Sequence, residues 1–371
     1  MANIYIDAAN GDGGTGDGPI GNPYKTLQVG INNATGGDSI FLADNVAHIL
    51  TAAINWDTGF TISNNFYLKI KPYSVNGAIT IQRPDESSPR MGAIIDGNNT
   101  AVDPFIGSGT KPTAFSVENI KFQNFTTYTY REPASYATVF GCEFDCSSVG
   151  NNVAVRWETG GKWAMFYNNY IHSYTGSASV VGANGRILNN YIDTNSTSIN
   201  GQVWLNGRNL SMVIGNIIKF GGSNVGLYSL QREIEIYGNT IINDGSANAK
   251  GIDILNSFDS YIYDNLFYKF DGAGAKPLNI QTANQRLLIL GNNAYFDCNS
   301  PDSSNVVSMD LQAEDVVGSG NPFTDSINDN YTPTLASGLR GAALSNPNSS
   351  LDIGAVQSAA SGGGNIFILN T

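Results

Sequence analysis

Charge is scarce in this chain. Its 19 Lys and Arg and 31 Asp and Glu make up 13% of 371 residues, about half of the roughly 25% usual in a soluble domain. Helices need Ala, Leu and long charged side chains on their exposed faces, so a mainly helical protein is excluded and an all-β chain with many turns is expected. Basic residues nowhere cluster, and the formal net charge is -12. A nucleic-acid footprint would be a basic patch, and an anionic membrane surface repels an acidic chain. Neither nucleic acid nor a membrane is an expected partner.

Cysteine and histidine are as sparse. Cys142, Cys146 and Cys298, beside only His48 and His172, form neither a disulfide framework nor a zinc ligand set. The three thiols are expected to act as small buried hydrophobes. The loop "NGDGGTGDG" (10–18) offers Asp12 and Asp17 but lacks the alternating acids and closing Glu of a calcium loop. No metal and no other cofactor is expected. No apolar run approaches the ~18 residues that span a bilayer. The opening "MANIYIDAANGDGG" has neither the basic nor the apolar region of a secretion signal, so synthesis in a cytoplasm without a signal peptide is expected.

What the chain has in quantity is a repeat. "NNYIHS" (168–173), "NNYIDT" (189–194), "GNIIKF" (215–220), "GNTIIND" (238–244), "DNLFYKF" (264–270) and "GNNAYFD" (291–297) each place a small or polar residue, then Asn, then two hydrophobics within the next three positions. Taking the second position as a slot gives Ile120, Cys142, Asn169, Asn190, Asn216, Asn239, Asn265 and Asn292. The spacing averages about 25 residues, too short for a propeller blade and without a leucine-rich framework. Before each slot lies a period-2 strand such as "IEIYGN" (234–239) or "LLILGN" (287–292). About 25 residues hold three short strands and three turns, and stacking such coils at ~4.8 Å gives a parallel β-helix. Asn169, Asn190, Asn216, Asn239, Asn265 and Asn292 are then expected in one vertical, hydrogen-bonded column. The residue two positions on (Phe122, Phe144, Ile171, Ile192, Ile218, Ile241, Phe267 and Ala294) would stack in the core. Looser units upstream, such as "GDSIFLADN" (37–45) and "FYLKIKPYS" (66–74), raise the count to eleven or twelve coils and the length to about 50 Å.

The opening "YIDAANGDGGTGDGPIGNPYKTLQVGINNATGGDSIFLADN" (5–45) resembles that of the right-handed parallel β-helix, pectate-lyase-like superfamily. The resemblance implies a strand, a Gly/Asp-rich loop, a short capping helix over Lys25–Asn33 with Leu27 and Ile31 inward, and then the coils. "LDIGAVQ" (351–357) resembles the closing strand of the same proteins. The fold expected is an all-β, single-stranded right-handed parallel β-helix with an N-terminal capping helix. Residues 1–37 form the cap, 38–357 the helix, and 358–371 a flexible linker with a C-terminal peptide. Such a superfamily includes lyases, hydrolases, epimerases and catalytically silent spikes, so function must come from a site.

Candidate sites are few. Glu143, Asp145, Glu158, Asp193, Asp253, Asp259 and Asp264 are the acids near coil positions, but they make no D-x-x-D or D-D pair, so no catalytic residue is assigned. "RWETGGKW" (156–163) gathers Arg156, Trp157, Glu158, Lys162 and Trp163 around a Gly-Gly turn. Sugars stack on aromatic faces while charged groups take their hydroxyls, so this is either a glycan contact or a loop packed on the rod's flank. Trp204 reads as core or groove wall. The tail "SAASGGGNIFILNT" ends in four consecutive apolar residues, Ile366, Phe367, Ile368 and Leu369, beyond a glycine leash. That peptide is expected to dock on a neighbouring subunit or to cover its own last coil.

A regular rod with no export signal and no catalytic set resembles bacteriophage spike and decoration proteins. The expected function is that of a virion structural protein (spike, fibre or capsid decoration) that binds host-surface glycan, trimeric and in contact with other virion proteins. A polysaccharide-degrading tailspike enzyme and a bacterial surface adhesin are the alternatives.

Overall fold

The strand–turn repeat closes into a three-sided coil. A computed structural model describes residues 2–13, 18–56, 67–100, 103–105, 114–131, 136–150, 155–156, 164–183, 185–195, 201–205, 211–221, 225–230, 233–255, 260–281, 288–299, 315–340, 342–343 and 353–355. Two sheets each stack eleven parallel strands and a third stacks seven. The first sheet runs from Asn3–Ile6 to Leu288–Gly291, the second from His48–Ile49 to Val316–Gly318, and the third from Tyr130–Arg131 to Lys276–Ile280. The architecture is the expected parallel β-helix. Among the described residues, seven successive coils carry a strand on all three sides.

The repeat motif is the corner between the first and second sheets. Its first residue turns the chain through the left-handed region: Asn119, Gly141, Asn168, Asn189, Gly215, Gly238, Asp264 and Asn292 all have φ between 50° and 67°. Gly, Asn and Asp are the residues that enter that region at least cost, which is why the first slot is small or polar. The second residue is the ladder. The backbone N–H and Nδ2 of each Asn donate to Oδ1 of the Asn one coil on, through Asn169, Asn190, Asn216, Asn239 and Asn265, at 2.9–3.1 Å. Each Nδ2 also donates to a carbonyl of the preceding coil, such as Phe166 O from Asn190 and Val213 O from Asn239. These five side chains are fully buried, and every polar group they carry is used.

One rung differs from expectation. Asn265 donates to Asn293, and Asn292 is the left-handed corner residue with φ 50°. In "GNNAYFD" either Asn suits either role, and the register is set by the neighbouring strands. With Asn293 as the rung, the inward position is Tyr295 and not Ala294: Tyr295 pairs with Phe267, their rings stacked at 5.4 Å and 6°. The ladder ends one coil later on a carboxylate, where Asn293 N–H donates to Asp315 Oδ1 at 2.8 Å. At the other end Cys142 takes the slot, and its N–H donates to Asn169 Oδ1. Phe122, Phe144, Ile171, Ile192, Ile218, Ile241 and Phe267 stand in register as the inner column of the second sheet.

Thr26 caps the helix Leu27–Asn33, accepting from Val29 N–H. Leu27 and Ile31 are buried as expected. Gly30 lies so close to Ile6 that a Cβ would fall 2.5 Å from its Cδ1, so any larger residue there would have to displace the Ile6 side chain for the helix to seat on the first strand. The outer edge of that strand is not left open: Tyr5 N–H donates to Gly18 O and Tyr24 N–H to Tyr5 O.

Ile353–Ala355 are bends, not the closing strand that "LDIGAVQ" suggested. They lie along the side of the rod, Gly354 N–H donating to Asp264 O and Ala355 N–H to Thr240 Oγ1. Phe323, Tyr331, Leu339, Ala343 and Ile353 form a second apolar cluster with Tyr191, Ile217, Ile242, Leu266, Tyr268, Ala294 and Phe296. Those sheet residues point away from the main core. This half of the second sheet is therefore buried on both faces, which is why its strands read as continuous apolar runs.

Candidate functional site

In three strands of the third sheet one side chain on the outer face stands between two inward apolar ones, although Asp253 and Asn279 are themselves buried there. Val203 and Leu205 are core and Trp204 faces out; Ile252 and Ile254 are core around Asp253; Leu278 and Ile280 are core around Asn279. Register places Arg131, Arg156, Gly182, Trp204, Tyr228, Asp253 and Asn279 in one outward column, a residue every ~4.8 Å.

The column has a cationic end and a carboxylate–amide end, with the two aromatics between. Arg131 and Arg156 lie over the ring of Tyr128, with guanidinium carbons 5.2 and 5.8 Å from its centroid. Arg156 Nη1 donates to Tyr128 Oη at 3.0 Å, and Arg131 pairs with Asp103 at 3.2 Å. At the far end Asp253 accepts from Lys250 Nζ (2.8 Å), Asn279 Nδ2 (2.6 Å) and Gln281 Nε2 (2.6 Å). Burial, with the nearby Asp253 carboxylate adding to it, raises the Tyr228 hydroxyl above its ordinary pKa, so the ring stays neutral. Trp204 Nε1 is buried without a hydrogen-bond partner among the described residues. A buried indole N–H normally has one, so this donor is poised for an acceptor that the described residues do not supply.

Of the glycan-contact residues expected from sequence, Arg156 joins this column; Trp157, Glu158, Lys162 and Trp163 lie outside the described residues, as do Ile366, Phe367, Ile368 and Leu369 of the tail and Asp259. Among the acids, Asp253 belongs to the column. Asp264 is a corner residue of the Asn turn, and Glu143, Asp145 and Asp193 are on the second sheet. Sequence reading missed Tyr128, Arg131, Tyr228 and Asn279. The signal for the last two was present: "VWL", "LYS", "IDI" and "LNI" recur at the coil period, each with one outward residue at its centre.

Charge also collects on the outer face of the second sheet, beyond the C-terminal cover. Glu143 Oε1 accepts from Lys121 Nζ (2.6 Å) and lies 3.3 Å from His172 Nε2. Burial pushes Glu143 up, but the hydrogen bonds from His172 and Lys121 outweigh it and hold the carboxyl below its ordinary range. Asp193 goes the other way: burial raises it, and its pairing with Lys219 at 3.2 Å only partly opposes this. Asp329 joins cover to sheet, accepting from Tyr191 and Tyr331 hydroxyls at 2.8 and 3.0 Å.

No family model and no curated protein matches the sequence. Solved structures similar to it include the GH136 lacto-N-biosidase from Eubacterium ramulus, at 10% identity and TM-score 0.43, over 86% of this chain and 68% of that one. Bacteriophage CBA120 tailspike protein 3 is similar at 12% identity and TM-score 0.38, over 86% and 62%. An alginate lyase from Paenibacillus sp. is similar at 10% identity and TM-score 0.27, over 86% and 98%.

Proposed function

We propose that this protein is a glycan-binding spike rod of a bacteriophage-type virion, holding an extended saccharide along the outward column of its third sheet. The observation that carries the reading is the order Arg131, Arg156, Gly182, Trp204, Tyr228, Asp253, Asn279 at one-strand spacing. Sugar rings offer an apolar face that stacks on Trp and Tyr, and equatorial hydroxyls that carboxylates, amides and indole N–H groups bond. A guanidinium takes a carboxylate or phosphate through two parallel hydrogen bonds, so the Arg131–Arg156 end suits an acidic substituent. The buried Trp204 Nε1, without a partner among the described residues, supports a hydroxyl acceptor at the centre of the column.

Virion placement, and assembly as a trimer with other virion proteins, rest on the regular rod and on a surface of Gly, Asn and Ser in place of charge. A panel of bacterial capsule and lipopolysaccharide fragments, probed with the full chain and with Trp204→Ala, tests the binding. Selective binding that Trp204→Ala weakens at least tenfold is expected; equal binding by both would reject the site. Mass spectrometry of purified phage particles carrying the gene tests the placement, since absence of the chain from the particle would reject it.

A further inference from the structure

Where the second sheet's strand Tyr170–His172 ends, Ser173 takes a left-handed backbone, φ 66°. A serine held there is uncommon and costs conformational energy. The turn brings its Oγ to 2.7 Å from His172 Nδ1. On the far side of the ring, His172 Nε2 lies 3.3 Å from Glu143 Oε1, one coil away. Glu143 is almost wholly buried and is pinned by Lys121 Nζ at 2.6 Å. Tyr170 stacks on the imidazole at 4.4 Å and 25°, which restrains the ring from turning. Ser173 itself is exposed and opens on a cleft of about 230 Å³ that Tyr170, Tyr174, Asp193 and Asn195 also line.

We propose that Ser173, His172 and Glu143 form a serine acyl-transfer site that hydrolyses small carboxylic esters. An ionised carboxylate can only accept hydrogen bonds. Glu143 therefore places the imidazole proton on Nε2, and leaves the Nδ1 lone pair facing the Ser173 hydroxyl. Such constellations are recognised by geometry and roles, not by which ring nitrogen faces the nucleophile. Burial opposes ionisation of Glu143, but its bonds to His172 and Lys121 keep the pKa below the ordinary range.

The chemistry balances without a cofactor. Ser173 Oγ attacks the ester carbonyl carbon while its proton passes to His172 Nδ1, and an Oγ–C bond forms. The C–O bond to the alcohol breaks, and the alcohol leaves with the proton from Nδ1. Water then adds to the acyl-serine, His172 again taking and returning the proton, and the acid is released with Ser173 restored. Glu143 acts through His172 as a positioning residue, stabilising the imidazolium. Asp145 and Asp193 flank His172 in register, and Lys219 pairs with Asp193. That the alcohol is a saccharide hydroxyl rests on the glycan-binding reading; the esterase activity does not, because this site lies on a different sheet.

The test uses the full chain with a fluorophosphonate probe and, separately, p-nitrophenyl acetate. Stoichiometric probe labelling is expected, mapped to Ser173. Both Ser173→Ala and Ser173→Gly should abolish it and lower p-nitrophenyl acetate turnover at least ~100-fold. The glycine variant relieves the positive φ and so keeps the fold. Glu143→Gln should lower kcat with KM unchanged, because an amide can donate to Nε2 and invert the tautomer. Absence of labelling, labelling elsewhere, or turnover unchanged in the folded Ser173→Gly variant would overturn the proposal. Glycan binding that survives Ser173→Gly separates this outcome from the fate of the saccharide site.

Discussion

Asn265 and Asn293 stand 28 residues apart and share one hydrogen-bonded junction: the N–H and Nδ2 of the first both donate to Oδ1 of the second, at 3.0 and 3.1 Å. Repeated along the corner, this junction ties each coil to the next inside the core, where no water can substitute. Asn216→Leu would leave the N–H and Nδ2 of Asn190 without their acceptor. Each stranded buried donor costs about 1–3 kcal/mol. Equilibrium urea unfolding should show a loss in that range or above it, and a loss below about 0.5 kcal/mol would mean the ladder is decorative.

The neighbouring corner residue obeys a different rule. Asn189 has φ 52°, so Asn189→Gly should change stability by less than about 1 kcal/mol. Asn189→Val forces a β-branched residue into the left-handed region and should cost about 1–2 kcal/mol or more. Thermal melts of the pair check this; equal melting temperatures would show that the corner relaxes around any side chain.

Much of this was legible in the sequence, for physical reasons. The Asn column and the inner aromatic and aliphatic column follow from period and residue type, and the capping helix from the resemblance of the opening segment. The last rung was not legible from the motif, because Asn292 and Asn293 are chemically the same and only strand register separates a corner from a rung. Tyr295 carried the missing clue, an aromatic where the inner column demands one. Asp315 escaped because a carboxylate at the end of the ladder can accept but not donate onward. Ile353–Ala355 looked like strand because apolar residues around Gly are needed both in a coil and in a segment packed on its outside. Ser173 could not be found from sequence, since its interest lies in a backbone angle and a partner one coil away.

Acid should loosen the N-terminal coils first. Asp44 is fully buried and accepts from the N–H groups of Val75 (2.7 Å), Asn76 (3.2 Å) and Gly77 (2.9 Å). Burial pushes its pKa up, but these bonds prevail and hold it below 3.8; Asp7 and Asp38 are lowered in the same way. A carboxyl whose folded pKa is depressed stabilises the fold fully above its unfolded value, and that stability is lost as pH falls through the folded value. The melting temperature should therefore hold down to about pH 5 and fall below about pH 4. Asp44→Ala should cost about 1–3 kcal/mol at pH 7 and flatten the acid limb. A melting temperature that rises on acidification below pH 4 would contradict this.

Buried thiols should be silent. Burial pushes Cys142 and Cys146 up to about 12, so little thiolate exists at pH 8. Ellman's reagent should modify neither in the folded chain, and both should react once the chain is unfolded. Rapid modification of either in native protein would show that the coil around it opens.

The central claim is that a saccharide lies along the third sheet from Arg131 to Asn279. A co-crystal structure of the full chain with its best-binding capsule fragment tests it most directly. The account predicts a sugar ring against Trp204 and Tyr228, with one hydroxyl accepting from Trp204 Nε1 and another bonded to Asp253 or Asn279. A fragment bound elsewhere on the rod, with that column untouched, would contradict it.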